Sequence, residues 1–520
     1  MRRLALVGAS ALALVTVACS GGGSSNPPPP PATGAFSNAN LQGTYAFSMS
    51  GTDASAQVGA FIARAGSFTA DGKGNISAAL EDVSDAGSVQ TVTFNGGTYS
   101  IQGDGKGTLT LNTVGGTGLQ FTIALNSSSK GVMIQTDLNA TSSGSFLLQS
   151  PNSFSLSGIS GSYVFDVSGA DFNGAPISVV GQMTTNGGGA ITGGVYDSND
   201  GGSNPPLITA QTFGAGGTYT LDPSNGATFG RGTMTFASRT FAFYIVDGTR
   251  IRLIETDGQL STLGDALQQT GAPMQAAAGS FAFLIGGSSV LGTAGPIGRG
   301  ARFTTDASGA ATKIQLDDNN NGHLTSIGSS TTISNAKFTI DAANPGTGRG
   351  TLTFTASASP NAGTFTFVFY LASATQGFIQ DTSNGVVGDG TLLAQTGTFS
   401  AANLAGNYVF NLSGINLSLG FEEDFAGQYG LSSSGGIAGA VDFVELASPS
   451  KRNPAFLDIP LSGMLTISGD GSGANNYTLT TGNSPSTTLN YHAYIGGANT
   501  ILLVGVDTNR VSAGNASLQP

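Results

Sequence analysis

One cysteine, two histidines and no tryptophan stand in a chain of 520 residues. The single cysteine, Cys19, excludes any disulfide within the chain. The two histidines, His323 and His492, fall at non-equivalent places and near no motif. They give no support to a Ser–His–Asp or Cys–His set or to a His-based zinc site, and both read as ordinary surface or turn residues. Charge is scarce too. Asp, Glu, Lys and Arg make up 9% of the chain, against about 25% in an ordinary soluble protein. With only 18 lysines and arginines and a formal net charge of −12, the chain lacks the basic footprint of a nucleic-acid-binding protein. Beyond the first residues no apolar run reaches the roughly 20 residues that a membrane-spanning helix needs.

What is abundant is glycine, 80 residues, with Ser, Thr and Asn plentiful. Such a composition could belong to a disordered chain, but 39% of the residues are hydrophobic and they alternate with polar ones over short runs. Phe365, Phe367, Phe369 and Leu371 alternate, as do Tyr45, Phe47 and Met49, and Phe241, Phe243 and Ile245. Alternation with a period of two places the large groups on one face of a strand. The reading is an all-β protein with glycine-rich turns, and its length suggests several domains.

The chain starts with Met1-Arg2-Arg3, continues through an uncharged apolar run (residues 4–18) and reaches Cys19. Basic, apolar, small is the order of a secretory signal peptide. Val15-Thr16-Val17-Ala18-Cys19 resembles the lipobox of bacterial lipoproteins. That resemblance implies cleavage before Cys19, lipidation of its sulfur and attachment to a membrane; Ser20 is compatible with sorting to the outer membrane. Residues 20–35 then have the composition of a tether, glycine and serine followed by five prolines at 27–31. Fully extended, it reaches at most about 55 Å.

The rest is one unit repeated four times. "FSNANLQGTYAF" (36–47) returns as "FSLSGISGSYVF" (154–165), "MQAAAGSFAF" (274–283) and "FSAANLAGNYVF" (399–410). "GKGTLTL" (105–111), "GRGTMTF" (230–236) and "GRGTLTF" (348–354) match one another; the fourth unit has "GDGSG" (469–473). Aspartates recur at Asp82, Asp197, Asp317 and, shifted by one, Asp442, and each unit closes near a glutamine: Gln149, Gln269, Gln395 and Gln519. The predicted divisions are a signal peptide (1–18), the lipidated cysteine and tether (19–35) and four repeats (36–150, 151–270, 271–396 and 397–520). Within the first repeat, strands are predicted near 44–50, 59–69, 75–83, 90–101, 107–112, 119–125, 132–136 and 145–149. Short turns with Asp-Gly pairs join most of them, as hairpins require. Eight strands in a meander can close into an up-and-down barrel without edges; a β-sandwich of similar strand count is the alternative.

The Gly-x-aromatic entries to the first strands, Gly43-Thr44-Tyr45, Gly161-Ser162-Tyr163, Gly279-Ser280-Phe281 and Gly406-Asn407-Tyr408, resemble the start of the lipocalin and calycin barrels, with Tyr or Phe where those families usually carry tryptophan. The resemblance implies a barrel that is either filled by side chains or holds one small apolar ligand.

Three stretches invite a chemical reading. Asp317, Asn319, Asn321 and Gly322 fit the first half of a calcium loop, but Gly328 stands where the bidentate glutamate belongs; turn-forming Asp and Asn are the plainer reading. "NGGGAITGG" (186–194) matches phosphate loops only by its glycines, with no helix to follow. "FEEDF" (421–425) is the densest acidic cluster and reads as a solvated loop. No catalytic constellation and no cofactor motif emerge. The leading expectation is a lipid-anchored cell-envelope protein with a structural, adhesive or interaction role. Its partners would be the membrane, through the anchor, and a protein or glycan. Carriage of a small apolar ligand inside the barrels is the alternative.

Overall fold

The computed structural model describes residues 35–54, 60–113, 115, 118–203, 206–271, 278–292, 294–328, 331–357, 362–448, 451–480, 487–497 and 499–520. Cys19 and the segments read from sequence as signal peptide and tether, up to residue 34, lie outside them.

The first barrel runs through eight antiparallel strands, Gln42–Asp53, Ala60–Asp71, Asn75–Asp85, Ser88–Ile101, Lys106–Thr113, Leu119–Ser127, Lys130–Gln135 and Ala140–Leu148, each bonded to the next and the first to the last. Phe47 sits opposite Gly66 on the second strand and Phe146 on the eighth. The second barrel (Ser160–Asp171 to Leu260–Gln268) and the fourth (Gly406–Asn416 to Arg510–Leu518) close in the same way. In both, the fourth strand is broken in two: Leu207–Phe213 with Gly217–Leu221, and Lys451–Arg452 with Phe456–Ile467.

The third unit (Gly279–Ser289 to Val386–Gln395) departs from the expectation of four closed barrels. Its fourth strand is also split. His323–Ile327 stays with the third strand and Ile333–Ile340 goes with the fifth, so the sheet remains open along that line. A bridge between Ala310 and Lys337 spans the gap. The same hydrogen bond marks this point in every unit: the carbonyl of Gly74, Gly189, Gly309 or Gly435 accepts from Tyr99, Tyr219, Phe338 or Leu465 at 2.8–2.9 Å. Each of these glycines has φ between +79° and +105°, a turn that a side chain would strain.

The interiors are filled. Tyr45, Phe47, Phe68 and Phe146 pack together in the first barrel, and Phe281, Phe303, Phe338 and Phe369 in the third. Glycines on neighbouring strands make room for the rings. A Cβ on Gly66 would meet Phe47 at 2.5 Å, one on Gly181 would meet Phe165 at 2.5 Å, and one on Gly232 would meet Phe243 at 2.2 Å. Much of the glycine therefore lies inside strands, as the surface against which aromatic rings lie flat. Each interior also holds a buried ion pair: Arg64–Glu81 at 2.7 Å, Arg239–Glu255 at 3.2 Å, Arg299–Asp318 at 3.1 Å and Arg510–Glu423 at 2.7 Å. A charge taken out of water must be paired in this way.

The four units form a ring. The second strand of one barrel packs on the closing strands of the next, and the fourth barrel returns to the first. Apolar clusters mark all four seams. Ala63, Ala65 and Leu80 meet Phe229, Tyr244 and Ile254; Val164 and Val180 meet Val368 and Phe378; Ala282 meets Leu502 and Val504; Val409 and Val444 meet Val132 and Ile134. A head-to-tail interface either closes or grows into a filament; here it closes within one chain.

Candidate functional site at the seams and axis of the ring

The recurring aspartates and the basic residue of the Gly-Lys/Arg-Gly motif belong to one device. Both project from outward faces of strands, one from the third strand of a barrel and the other from the start of the fifth strand of the next. Asp82 accepts from Nε and Nη2 of Arg231, both at 2.8 Å, and from the Tyr244 hydroxyl at 2.7 Å. Asp197 repeats this with Arg349, at 2.8 and 2.8 Å, and Tyr370, at 2.6 Å. At the closing seam Asp442 accepts from Lys106 Nζ at 2.7 Å. Burial opposes the charge on Arg231, but the Asp82 carboxylate wins and raises the guanidinium above its ordinary value. Burial, then the neighbouring aspartate, raises Tyr244 and Tyr370 as well.

The closing glutamines are the second latch. Gln149 Nε2 donates to Phe229 O at 2.8 Å and Ile245 O at 2.5 Å in the second barrel. Gln269 reaches Thr347 O and Leu371 O in the third, both at 2.9 Å, and Gln395 reaches Ile495 O in the fourth at 2.9 Å. Gln519 closes the circle on Leu125 O of the first barrel at 2.7 Å.

The structure places Asp317, Asn319 and Asn321 along a strand and its end, not around a loop. Asp317 accepts from the Tyr494 hydroxyl and pairs with His492 Nδ1 at 2.5 Å. Asn319 Nδ2 donates to the carbonyls of Gly505, Asp507 and Arg510 at 2.8–3.0 Å. Asn321 takes a turn conformation with φ +52°. Asn199, one barrel earlier, makes the matching contacts to Asp381 O and Val386 O. Asp317 and Asn319 thus anchor the third seam. His492, read from sequence as a surface residue, is half-buried in that seam, whereas His323 is exposed.

FEEDF is corrected by the structure. It opens the strand Phe421–Leu431, with Glu423 and Asp424 buried, because the alternation sends Glu423 to the barrel interior and Asp424 to the ring axis. Along that axis the first and eighth strands of the barrels face one another. Cavities of about 410, 350 and 350 Å³ are each lined by three different barrels. Their walls carry Ser48, Ser50, Ser143, Ser168 and Ser413, together with the carboxyls of Asp166, Asp265 and Glu422. Asp166 lies near Asp389 across the second and third barrels, and burial followed by that neighbour raises Asp166 strongly; burial pushes Asp389 up to about 7. Glu422 and Asp424 face Thr52 and Ser143 of the first barrel; burial raises both, Asp424 to about 6. In the second of these cavities Lys130, Arg250 and Arg252 face Asp265. Burial, then the two arginines, lowers Lys130. The arrangement suits hydrogen bonding and proton holding. Sequence reasoning found these seam residues as landmarks of the repeat but not their joint role, since the signal lay in matching one unit's aspartate to the next unit's basic residue.

No protein-family model and no curated protein sequence matches the chain. Solved structures show slight likenesses. Kievitone hydratase from Nectria haematococca has 10% identity and a TM-score of 0.20, covering 46% of this chain and 90% of its own. Transferrin binding protein B from serogroup B Neisseria meningitidis has 10% identity and a TM-score of 0.17, covering 74% and 82%. A double mutant of the same-named protein from Haemophilus parasuis Hp5 has 10% identity and a TM-score of 0.20, covering 75% and 83%. At such values the likeness carries no argument about this chain.

Proposed function

We propose that this chain is a lipid-anchored interaction scaffold of a bacterial cell envelope, held to the membrane through Cys19 and presenting a ring of four barrels to a protein or glycan partner. The observation that carries the reading is the ring itself: four filled units locked by aspartate and glutamine latches, with the fourth strands and the far part of the fifth left on the outside. Those strands, joined in the fourth barrel by the sixth, expose pairs of threonine hydroxyls, Thr220–Thr233 at 3.2 Å, Thr339–Thr351 at 3.3 Å and Thr478–Thr488 at 3.3 Å. Uncharged hydroxyls repeated around a rim favour hydrogen bonding to a polar surface, and repeated weak sites gain by avidity. Side chains occupy the barrel interiors, so no observation favours the apolar-carrier alternative.

The experiment is palmitate labelling and adhesion of cells expressing the chain or its Cys19→Ser variant. Incorporation that needs Cys19, with adhesion to protein- or glycan-coated surfaces that falls in the variant, is the expected result. Labelling independent of Cys19, or equal adhesion by both, overturns the reading.

A further inference from the structure

The internal repeat supplies its own comparison for the third seam. Arg231 lies opposite Tyr244 on the adjoining strand, Arg349 opposite Tyr370, and Ser472 opposite Tyr494. At the first two seams the arginine forks onto the aspartate of the preceding barrel. At the third, aspartate and tyrosine are retained as Asp317 and Tyr494, but the arginine position is Ser472. A cavity of about 380 Å³ lies there, lined by Gln315, Asp317, Ser326, Ser472, His492 and Tyr494 among others.

The acceptors that would hold a guanidinium remain in place. The Asp317 side chain is 8% exposed. Tyr494 and His492 both donate to its Oδ2. Its Oδ1 corresponds to the oxygens of Asp82 and Asp197 that receive Nη2 of the arginines, and it has no hydrogen-bond partner among the described residues. Gln315 Oε1, on the same wall, is buried and unpartnered. An orphaned buried acceptor is costly unless something donates to it. Arg302, from the second strand of the third barrel, does not take the place. It is engaged by Gln395 Oε1 at 3.2 Å, Lys313 O at 3.2 Å and Asp470 at 3.5 Å.

We propose that this cavity binds a guanidinium group supplied from outside the chain, either a small free guanidinium compound or an arginine side chain of a partner. The planar group would set one N–H edge on Asp317 Oδ1, since His492 and Tyr494 hold Oδ2, with the hydroxyls of Ser326 and Ser472 on the cavity wall available to its remaining N–H groups. Guanidinium is favoured over ammonium because its planar array of five N–H donors reaches the free carboxylate oxygen and the hydroxyls on the facing wall at once. The proposal is independent of the anchoring and scaffold reading.

Saturation-transfer NMR on n-propylguanidinium, an arginine side chain without its backbone, tests this with the full chain and the variants Ser472→Arg and Asp317→Asn. Signal is expected in the wild type. It should weaken about tenfold or more in both variants, the scale of losing a charge-assisted hydrogen bond. Ser472→Arg is decisive, because it restores the group found at two other seams and should melt no lower than the wild type by circular dichroism. Displacement of the probe by Gly-Arg-Gly supports the pocket with an arginine of a partner as occupant; retention supports it with a small free guanidinium. No signal in the wild type, an unchanged signal in Ser472→Arg, or equal binding of n-propylammonium overturns the proposal.

Discussion

Arg231 shows how much one side chain does in this protein. Its guanidinium bridges two aspartates, Asp82 across the seam and Asp222 within its own barrel at 2.7 Å. Removing it leaves Asp82, a fully buried carboxylate, with only neutral partners. Breaking a buried pair from one side costs about 3–5 kcal/mol. Arg231→Ala is therefore expected to lower the free energy of the first unfolding transition by an amount of that order, seen as a lower urea midpoint and followed by circular dichroism because the chain has no tryptophan. A midpoint within error of the wild type would show that the seam does not depend on the latch. The carboxyls of the axis act differently. The raised value of Asp389 means that it holds its proton more tightly in the folded chain, so its contribution to stability is present at acid pH and is lost as pH rises through about 7. Asp389→Asn is expected to flatten the fall in melting temperature between pH 5 and pH 8; an unchanged slope would mean that Asp389 does not titrate there.

At the scale of the strand, glycine and phenylalanine form a unit. Gly232 lies opposite Phe243, whose ring occupies the space of the missing side chain. Gly232→Ala would push a Cβ to 2.2 Å from that ring and 2.3 Å from the Thr220 carbonyl. Overpacking of this kind costs about 1–3 kcal/mol, and the melting temperature of the variant is expected to fall accordingly. A wild-type melt would mean that the ring moves aside freely. Strand order was readable because alternation and Asp-Gly turns are local: the eight strands predicted for the first unit all exist, most of them extending further than predicted. The breaks in the later fourth strands were not readable, since they depend on which neighbour each half joins. FEEDF misled for a related reason. Three consecutive acids suggest solvent, yet period-two alternation delivers them in turn to a barrel interior and a ring axis, both closed by distant parts of the chain. The aspartates and glutamines of the repeat were visible but mute, because their partners belong to the next barrel.

The whole molecule should respond to pH as one body. Glu255, Glu423 and Asp389 are raised to about 7 and Asp424 to about 6, in every case with burial as the first cause. His492 is raised as well, by its hydrogen bond to Asp317 against the effect of burial. For all five the folded value lies above the ordinary one, so the stability they contribute is present in mild acid and fades as pH rises through those folded values. Calorimetry is expected to give a higher melting temperature at pH 5 than at pH 8; the reverse order would refute the raised values of these groups in the folded chain. The closed ring can be tested by a cut. A protease site placed at Gly397, an exposed residue between the third and fourth barrels, should leave both fragments co-eluting from a gel-filtration column. Adding Lys106→Met should weaken that association at the closing seam.

The seam between the fourth barrel and the first has one more consequence. Between the first two barrels, Gln149 binds Ile245 O and Phe154 packs on Gly230, whose carbonyl accepts from Ile245 N, so both ends of the connecting segment sit on the same turn. At the closing seam Gln519 binds Leu125 O while Phe36 packs on Gly105 in the corresponding places. The seam is thus a connecting segment whose covalent link has been left out, and the order of the barrels along the gene is one of four ways to write the same ring. A circular permutant that joins these two points and opens another connection should fold to the same assembly. Under the proposed anchoring, the point at which the chain enters the ring would move to a neighbouring barrel and turn a different stretch of rim towards the membrane.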